Sequence, residues 1–161
     1  MNNTEPDAID RHILSLLQLD GRLSIARLAA EVNLSATPCA ERVRRLEQAG
    51  YIKRFAAILD PAKFNAGYIA FVQVKLSSTV SAVLDAFNRA VLDVPEIESC
   101  HMIAADFDYL LKIRCRDIDQ YRRLLGERIS TLPSVIQTST FTVMQSVKDD
   151  VLLSVAAQET D

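Results

Sequence analysis

The sequence predicts an α+β protein with a helical first half and a mixed second half, and three observations lead to this fold class. Apolar residues recur at helical spacing through the first half. Beyond residue 67 the spacing alternates between two and about 3.6 residues, which indicates strands interleaved with helices. Between them, Asp60–Gly67 contains a proline, a glycine and no periodicity. We therefore expect a winged helix-turn-helix domain over residues 1–60, a linker over 61–67 and a ferredoxin-like domain over 68–161.

The composition limits the classes of protein to which the chain can belong. Its 161 residues, 49% hydrophobic and 24% charged, suit one medium domain or two small ones rather than a disordered chain. No apolar run approaches the ~18 residues of a membrane span, and the first residues carry no export signal. The three cysteines lack metal-ligand spacing, and only four glycines argue against a glycine-rich nucleotide loop. We expect a cytoplasmic chain without metal, cofactor or membrane partner.

Three short helices are expected in the first half. The first follows a capping Asp7, and its apolar stripe is Ile9, Ile13, Leu16 and Leu17. The second follows a capping Ser24, and its inward residues are Ile25, Leu28, Ala29 and Val32. The third carries Cys39, Val43 and Leu46 on one face and ends before Gly50.

Local signals predict the start of the third helix and the element after it. Thr37 precedes Pro38, and a residue before proline avoids the helical conformation, so Thr37 is favoured as the N-cap, with Ser35 competing. After Gly50, Ile52–Ile58 reads as a strand. Two short helices joined by a few residues, with a strand behind them, form a helix-turn-helix with a wing.

A basic patch covers the third helix and the predicted wing. From Arg42 to Arg54 there are five basic residues and one acidic residue, a net charge of +4 in a protein whose total is −3. Such a patch is typical of a module that binds double-stranded DNA, although a solvated helix face is the alternative. The positions left available to DNA are Thr37, Pro38, Glu41, Arg42, Arg44 and Arg45, with Lys53 and Arg54 on the wing.

The second half has the element order βαββαβ. The predicted strands are Tyr68–Leu76, Ile97–Ala104, Phe107–Cys115 and Val135–Val147, with the turn Ala105-Asp106 between the middle two. One helix is expected around Val83, Leu84, Phe87 and Val91, and another, after a capping Asp117, buries Ile118, Tyr121, Leu125 and Ile129. Both helices lie on one face of the sheet, and a second copy of the sheet is the simplest cover for the other face. We therefore predict a homodimer.

Several motifs together resemble those of the Lrp/AsnC (feast/famine) transcription regulators. In the first half they are Asp20-Gly-Arg-Leu-Ser24, Leu28-Ala-Ala-Glu-Val32, Leu34-Ser-Ala-Thr-Pro-Cys39, Arg42-Val-Arg-Arg-Leu-Glu47 and Gly50-Tyr-Ile52. In the second half they are Pro95-Glu-Ile-Glu-Ser-Cys-His101, Asp106-Phe-Asp-Tyr-Leu-Leu111 and Thr138-Ser-Thr-Phe141. The resemblance spans roughly residues 7–148, and the order and spacing of the motifs are highly specific.

The resemblance implies a sequence-specific DNA-binding regulator of amino-acid metabolism with a ferredoxin-like (RAM/ACT-like) sensing domain. It implies a dimer that often assembles into tetramers or octamers and binds a small amino acid between dimers. DNA contacts would fall on Thr37, Arg42, Arg44 and Arg45, with Ser35 near the phosphate backbone. Effector contacts would fall on Met102, Ala104, Ala105, Asp106, Asp108, Thr138, Ser139 and Thr140. The family usually has a glycine at Ala105, whose methyl group therefore intrudes on the expected pocket.

Other interpretations of these residues remain open. Asp106 and Asp108 could serve acid–base chemistry, but no nucleophile or metal ligand accompanies them, so binding of a ligand ammonium is the better account and we expect no enzyme activity. Cys100 and His101 point to opposite faces of a strand, which disfavours a shared metal site. The alternative function is an amino-acid-binding regulatory subunit that docks on an enzyme; the +4 patch favours DNA.

Overall fold

The computed structural model describes residues 5–149 and residue 153. These residues form two compact units, one comprising residues 5–58 with 149 and 153, the other Leu59–Lys148. The predicted linker thus falls in the second unit, where Pro61–Phe64 form a short 3-10 helix capped by Asp60. Residues 149 and 153, predicted for the ferredoxin-like domain, fall in the first unit, and the rest of that prediction beyond residue 149 lies outside the described residues.

The first unit is built from three helices, α1 (Ala8–Leu19), α2 (Ile25–Glu31) and α3 (Ala36–Gln48). Helix α1 begins with a capping box: the Asp7 carboxylate accepts from the Asp10 N–H, and the Asp10 carboxylate accepts from the Asp7 N–H. Helix α2 begins after Ser24, whose hydroxyl accepts from the Arg27 N–H. All three helices contribute to one small core, which contains Ile13, Leu28, Ala29, Val32, Cys39 and Leu46.

Three local predictions in the first unit are wrong. The N-cap of α3 is Ser35 rather than Thr37, so Pro38 lies in the first turn, where the N–H groups have no partner within a helix and proline is tolerated. Ile25 lies at the surface beside the start of α3 rather than in the core. Residues 53–60 form no strand within the described chain, because no other described segment hydrogen-bonds alongside them.

The second unit has the predicted βαββαβ order. Its elements are β1 (Tyr68–Leu76), α4 (Ser81–Leu92), β2 (Ile97–Met102), β3 (Tyr109–Cys115), α5 (Ile118–Leu124, continued by a π-helical turn, Leu125–Ile129) and β4 (Val135–Thr142). The strands form an antiparallel sheet in the order β2-β3-β1-β4, with Val72 opposite both Leu111 of β3 and Thr140 of β4. This is the ferredoxin-like arrangement that the sequence predicts.

The core of the second unit lies between the sheet and its two helices. Alternate strand residues such as Val72, Val74 and Leu111 pack with Phe87 of α4 and Ile129 after α5. The intervening residues form the open face of the sheet, and they are half-buried or exposed: Phe71, Gln73, Lys75, Leu110, Gln137, Ser139 and Phe141. The open face thus combines aromatic and polar side chains.

Three boundaries in the second unit differ from prediction. The β2–β3 connection covers residues 103–108 rather than two residues, because the Asp108 N–H donates to the Val74 carbonyl of β1 and the Ile103 N–H closes the loop on the Asp108 carbonyl. Strand β4 ends at Thr142 rather than Val147, where pairing with β1 ends. Ile118, predicted inward, is exposed at the first position of α5. No helix among the described residues is long and apolar enough to cross a membrane.

Candidate functional site

The outer face of α3 is the first candidate site. At about 100° per residue, Thr37, Glu41 and Arg44 lie opposite the buried Cys39 and Leu46. All three are exposed, and the side chain of Arg44 makes no hydrogen bond or ion pair with any described residue. A shallow depression of about 480 Å³ follows this face and is lined by Ile25, Ala36, Thr37, Ala40, Glu41 and Arg44. The face therefore presents a guanidinium, a carboxylate and a hydroxyl to an external partner.

Two other arginines of α3 are held by acidic side chains at the start of α1. Arg42 Nη1 donates to Asp7 Oδ2 at 2.6 Å and to Asp10 Oδ1 at 2.8 Å. Arg45 Nη2 donates to Asp10 Oδ2 at 2.5 Å. Asp10 is 1% exposed, and among the described residues it is the one charged residue that is buried. Both of its oxygens accept charge-assisted hydrogen bonds, as a buried carboxylate requires.

These ion pairs shift the acid–base equilibria of their members. Burial would raise the pKa of Asp7, but hydrogen bonds from the Asp10 N–H and Arg42 outweigh it and lower that pKa. Hydrogen bonds to Asp7 and Asp10 raise the pKa of Arg42. Asp7 and Arg42 therefore both stay charged at neutral pH.

The predicted DNA-binding residues divide into two groups. Arg42 and Arg45 are 25% and 52% exposed and pair with α1, contrary to the expectation that both are free, because they lie on the flank of α3 next to the start of α1. The remaining predicted residues form no ion pair with a described residue. Ser35, Thr37, Arg44, Lys53 and Arg54 are exposed, and Pro38 is half-buried.

The second candidate site is a groove on the open face of the sheet, beside the loop between β2 and β3. It has a volume of about 250 Å³ and is lined by Gln73, Lys75, Asp106, Phe107, Gln137 and Ser139. Asp106 and Lys75 bring opposite charges to it, and neither side chain forms an ion pair with a described residue. Such a site can bind a zwitterion, whose ammonium would pair with the Asp106 carboxylate and whose carboxylate would pair with the Lys75 ammonium.

Asp106 and Ser139 are the two predicted effector residues that line this groove. Asp108 serves the fold instead, since its Oδ2 accepts from the Leu76 N–H at 2.7 Å. One oxygen of the Asp108 carboxylate is therefore already occupied, and its contact with an effector stays a prediction. This carboxylate completes the hydrogen bonding at the end of β1.

Strand alternation separates Ser139 from its neighbours. Thr140 faces the helices, where its hydroxyl lies 2.5 Å from the Tyr121 hydroxyl, and Thr138 shares that side. The other predicted effector residues are exposed near the loop but do not line the groove: Met102, Ala104 and Ala105. Ala105 does not have a positive φ, so the backbone accepts a residue other than glycine there.

Sequence reasoning missed the acids that hold the arginines and the β1 residues that line the groove. Asp7 and Asp10 are three residues apart at a helix start, the spacing of a reciprocal cap, and Arg42 and Arg45 are three apart on α3. Gln73 and Lys75 alternate with buried valines, a period of two that marks the open face of the sheet. These signals are present but do not state which elements meet.

The cysteines behave as apolar core groups. Burial raises the pKa of Cys100 to about 11 and raises the pKa values of Cys39 and Cys115, so the thiols stay protonated at neutral pH. Cys100 and His101 lie on opposite faces of the sheet, as predicted, since they pair with Leu111 and Leu110. Within residues 5–149 and 153, no group of three or more His, Cys, Asp or Glu side chains could hold a metal ion.

Comparison with known protein families matches both units. A family model described as the Lrp/AsnC ligand binding domain matches residues 69–153. A second model, described as winged helix-turn-helix DNA-binding, matches residues 6–53. The first match alone covers more than half of the chain.

Individual relatives agree with these matches. The chain is 54% identical to the proline dehydrogenase transcriptional activator of Rhizobium radiobacter, over 89% of this chain and 92% of that protein. It is 48% identical to the leucine-responsive regulatory protein of Escherichia coli K12, over 88% and 87% of the two chains. A Neisseria meningitidis transcriptional regulator, solved as a complex with L-Met, superposes with a TM-score of 0.87 at 29% identity, covering 93% of this chain and 97% of that one. An AsnC family regulator from Agrobacterium tumefaciens superposes with a TM-score of 0.87 at 34% identity, covering 91% and 95%.

Proposed function

This chain belongs to the Lrp/AsnC family of transcription regulators, and from that premise we propose that it binds specific DNA sequences and changes its assembly or DNA affinity in response to a small amino acid. The observation that carries the proposal is the outer face of α3, where Arg44 is exposed and has no partner among the described residues. In a helix-turn-helix, this face enters the major groove. The protein would act in the cytoplasm, without catalysis, on genes of amino-acid metabolism.

The contacts with DNA would combine base readout and phosphate binding. An arginine that bonds a guanine through two hydrogen bonds contributes about 1–3 kcal/mol of discrimination, and the exposed Arg44 would make this contact. Thr37 beside it can contact a thymine methyl group or a base edge. Lys53 and Arg54, exposed after α3, and Ser35 at its start would contact phosphates.

The test is DNA binding by the purified full chain as a function of salt. If each helix-turn-helix of a dimer neutralises ~3 phosphates, the slope of log K against log salt is about −5. Arg44→Ala should weaken binding to a promoter duplex and relax preference at one base pair, whereas Arg89→Ala, an exposed arginine of the second unit, serves as control. A slope shallower than about −2 for the wild type would contradict DNA binding through this surface.

The effector site would be the groove beside the β2–β3 loop. Asp106 would bind the ammonium of a free amino acid and Lys75 its carboxylate, with Gln73, Gln137 and Ser139 as further hydrogen-bonding groups. A thermal-shift screen of the twenty amino acids tests this, because a ligand of the folded state raises the melting temperature by mass action. Proline and methionine are informative members, given the names of two similar proteins. No shift with any amino acid would contradict an amino-acid effector.

The part of the open face around Phe71 and Phe141, outside the groove, would be covered by a second copy of the chain. Phe71 and Phe141 lie opposite each other on this face, and Phe141 is half exposed. A dimer would bury this aromatic pair, and dimers would assemble further into tetramers or octamers. Phe141→Asp should therefore reduce the sedimentation coefficient of the full chain, and an unchanged coefficient would exclude this interface.

A further inference from the structure

Four charged side chains in the first unit form ion pairs with one another, and their charges sum to zero. Arg42 and Arg45 of α3 bond to Asp7 and Asp10 at the start of α1, through N–O distances of 2.5 to 2.8 Å. A guanidinium recognises carboxylate and phosphate oxygens with the same geometry. The two acids therefore occupy positions on these arginines where a DNA phosphate would otherwise bind.

We propose that Asp10, supported by Asp7, determines DNA specificity by serving as an internal substitute for a phosphate. It withholds Arg42 and Arg45 from sequence-independent phosphate contacts and fixes α3, so that Arg44 meets base edges. The inference rests on the proposed function, DNA binding through α3. Asp10 is a positioning residue, since it acts through the two arginines.

The burial of Asp10 makes it suited to this role. It is 1% exposed, and the capping box with Asp7 fixes its carboxylate to the first turn of α1. Each of its oxygens accepts from a different arginine, so the arrangement specifies where α3 lies relative to α1. Base contacts need this precision, because a hydrogen bond to a base edge weakens steeply when its geometry is lost.

The charge balance also reduces non-specific affinity. The net charge of the four residues is zero, and within the basic patch from Arg42 to Arg54 the side chains without an acidic partner among the described residues are Arg44, Lys53 and Arg54. Non-specific affinity rises with every phosphate that a protein neutralises, whereas sequence is read by base contacts. Holding two arginines internally lowers non-specific binding more than specific binding.

The test compares Asp10→Asn with the wild type on two duplexes of equal length, one with a sequence that the wild type selects from random duplexes and one of unrelated sequence. Asparagine keeps the shape and a capping acceptor but removes the charge. We expect the salt slope on the unrelated duplex to steepen by about 2 for a dimer, one further phosphate for each helix-turn-helix. At ~0.1 M salt, binding to that duplex should tighten roughly tenfold, binding to the specific duplex should tighten less, and the ratio of specific to non-specific affinity should therefore fall.

The matched control is Glu47→Gln, which removes one exposed negative charge from α3, the helix that carries the two arginines; the Glu47 carboxylate holds no arginine among the described residues. Equal effects of the two variants would show that only net charge matters and would overturn the proposal. Arg45→Gln added to Asp10→Asn should remove most of the gained slope; a slope that persists would also overturn it. A variant that only lost stability would not steepen the salt slope, and Arg45→Gln would then have no added slope to remove.

A second variant covers the case in which Asp10→Asn fails to fold. Asp7→Asn keeps the cap, since asparagine and aspartate cap helices equally well, and removes one of the two carboxylates that hold Arg42. It should steepen the slope in the same direction by a smaller amount, and no change would overturn the proposal. If the wild type binds no duplex, the proposed function fails; if it binds and the ratio is unchanged in these variants, this inference alone fails.

Discussion

The two units fix their functional surfaces in different ways. The first unit has a core of six buried apolar residues, and the position of α3 also depends on a buried carboxylate that binds two arginines. The core cluster of the second unit contains fifteen buried residues, and no buried charged residue is found among those described in this unit. A small core leaves the orientation of a short helix weakly determined, whereas a four-stranded sheet determines its own geometry through the hydrogen-bond register.

This difference shows where each kind of interaction is useful. A buried ion pair adds little net stability compared with apolar packing, because desolvation of the charges offsets their attraction. It does specify which residues meet, and the first unit uses it where the orientation of a DNA-facing helix matters. In the second unit, apolar burial supplies stability, and the exposed groove needs no internal ion pair.

The largest expected effect comes from a substitution that disrupts the apolar core of the second unit. Phe87 is fully buried, and its ring centroid lies 4.5 Å from that of Tyr109. Phe87→Ala should lower the free energy of unfolding by about 3–5 kcal/mol, because it removes buried surface and leaves a cavity. Denaturant unfolding measures the loss, and hydrogen exchange should locate it in residues 59–148. Leu92→Ala, at an exposed position of the same helix, should change the free energy of unfolding by less than about 0.5 kcal/mol. Similar losses of stability in the two variants would contradict this description of the core.

The second prediction separates two arginines of α3. Arg42→Ala should lower the free energy of unfolding by about 1–3 kcal/mol, since it removes two charge-assisted hydrogen bonds at a partly exposed site. Arg44→Ala should change it by less than about 0.5 kcal/mol but weaken binding to the specific duplex more strongly. If Arg42 were free to meet DNA, as expected from the sequence, Arg42→Ala would leave the melting temperature unchanged. Paired measurements of melting temperature and DNA affinity decide between these expectations, and an unchanged melting temperature would make Arg42 a free DNA-facing residue.

Local patterns predicted most of the fold, and errors such as the wing strand fall where distant segments meet, whereas the N-cap of α3 is a local error. The caps at Asp7, Ser24 and Asp117 are correct because a cap is formed by neighbours in the chain. The order βαββαβ is correct because each element has its own period. The predicted strand at Ile52–Ile58 is wrong because a strand requires a partner, which propensity does not supply.

The candidate sites illustrate the same limit. Arg44 and Asp106 could be identified as exposed functional candidates from their own segments. That Asp10 binds Arg45, and that Asp108 binds the Leu76 N–H, depends on contacts between residues more than thirty positions apart. Periodicity states which face of an element a residue occupies, but not which element that face meets.

The third prediction separates the two carboxylates beside the groove. Asp106→Asn should weaken amino-acid binding about 10–100-fold, the loss of one charge-assisted hydrogen bond, with the melting temperature of the free protein unchanged. Asp108→Ala should lower the free energy of unfolding by about 1–2 kcal/mol even without ligand, because the Leu76 N–H loses its acceptor. Calorimetric titration with the amino acid found by thermal shift measures the first effect. Unchanged affinity in Asp106→Asn would mean that the effector binds elsewhere.

The smallest expected effect is on pH dependence, and it again distinguishes the two units. Because the pKa of Asp7 is lowered in the folded state, its contribution to stability is present above the ordinary value of 3.8 and is lost as the pH falls through the folded value. Because burial raises the pKa of Cys100 from 9.0 to about 11, its contribution is present below pH 9.0 and is lost as the pH rises towards about 11. Asp7→Asn should therefore flatten the acid side of the melting-temperature profile, and Cys100→Ala part of the alkaline side. Some alkaline decline should remain in Cys100→Ala, because burial also raises the pKa values of Cys115, Tyr109 and Tyr121. If the alkaline profile of Cys100→Ala were identical to that of the wild type, the Cys100 thiol would not be desolvated in the folded protein.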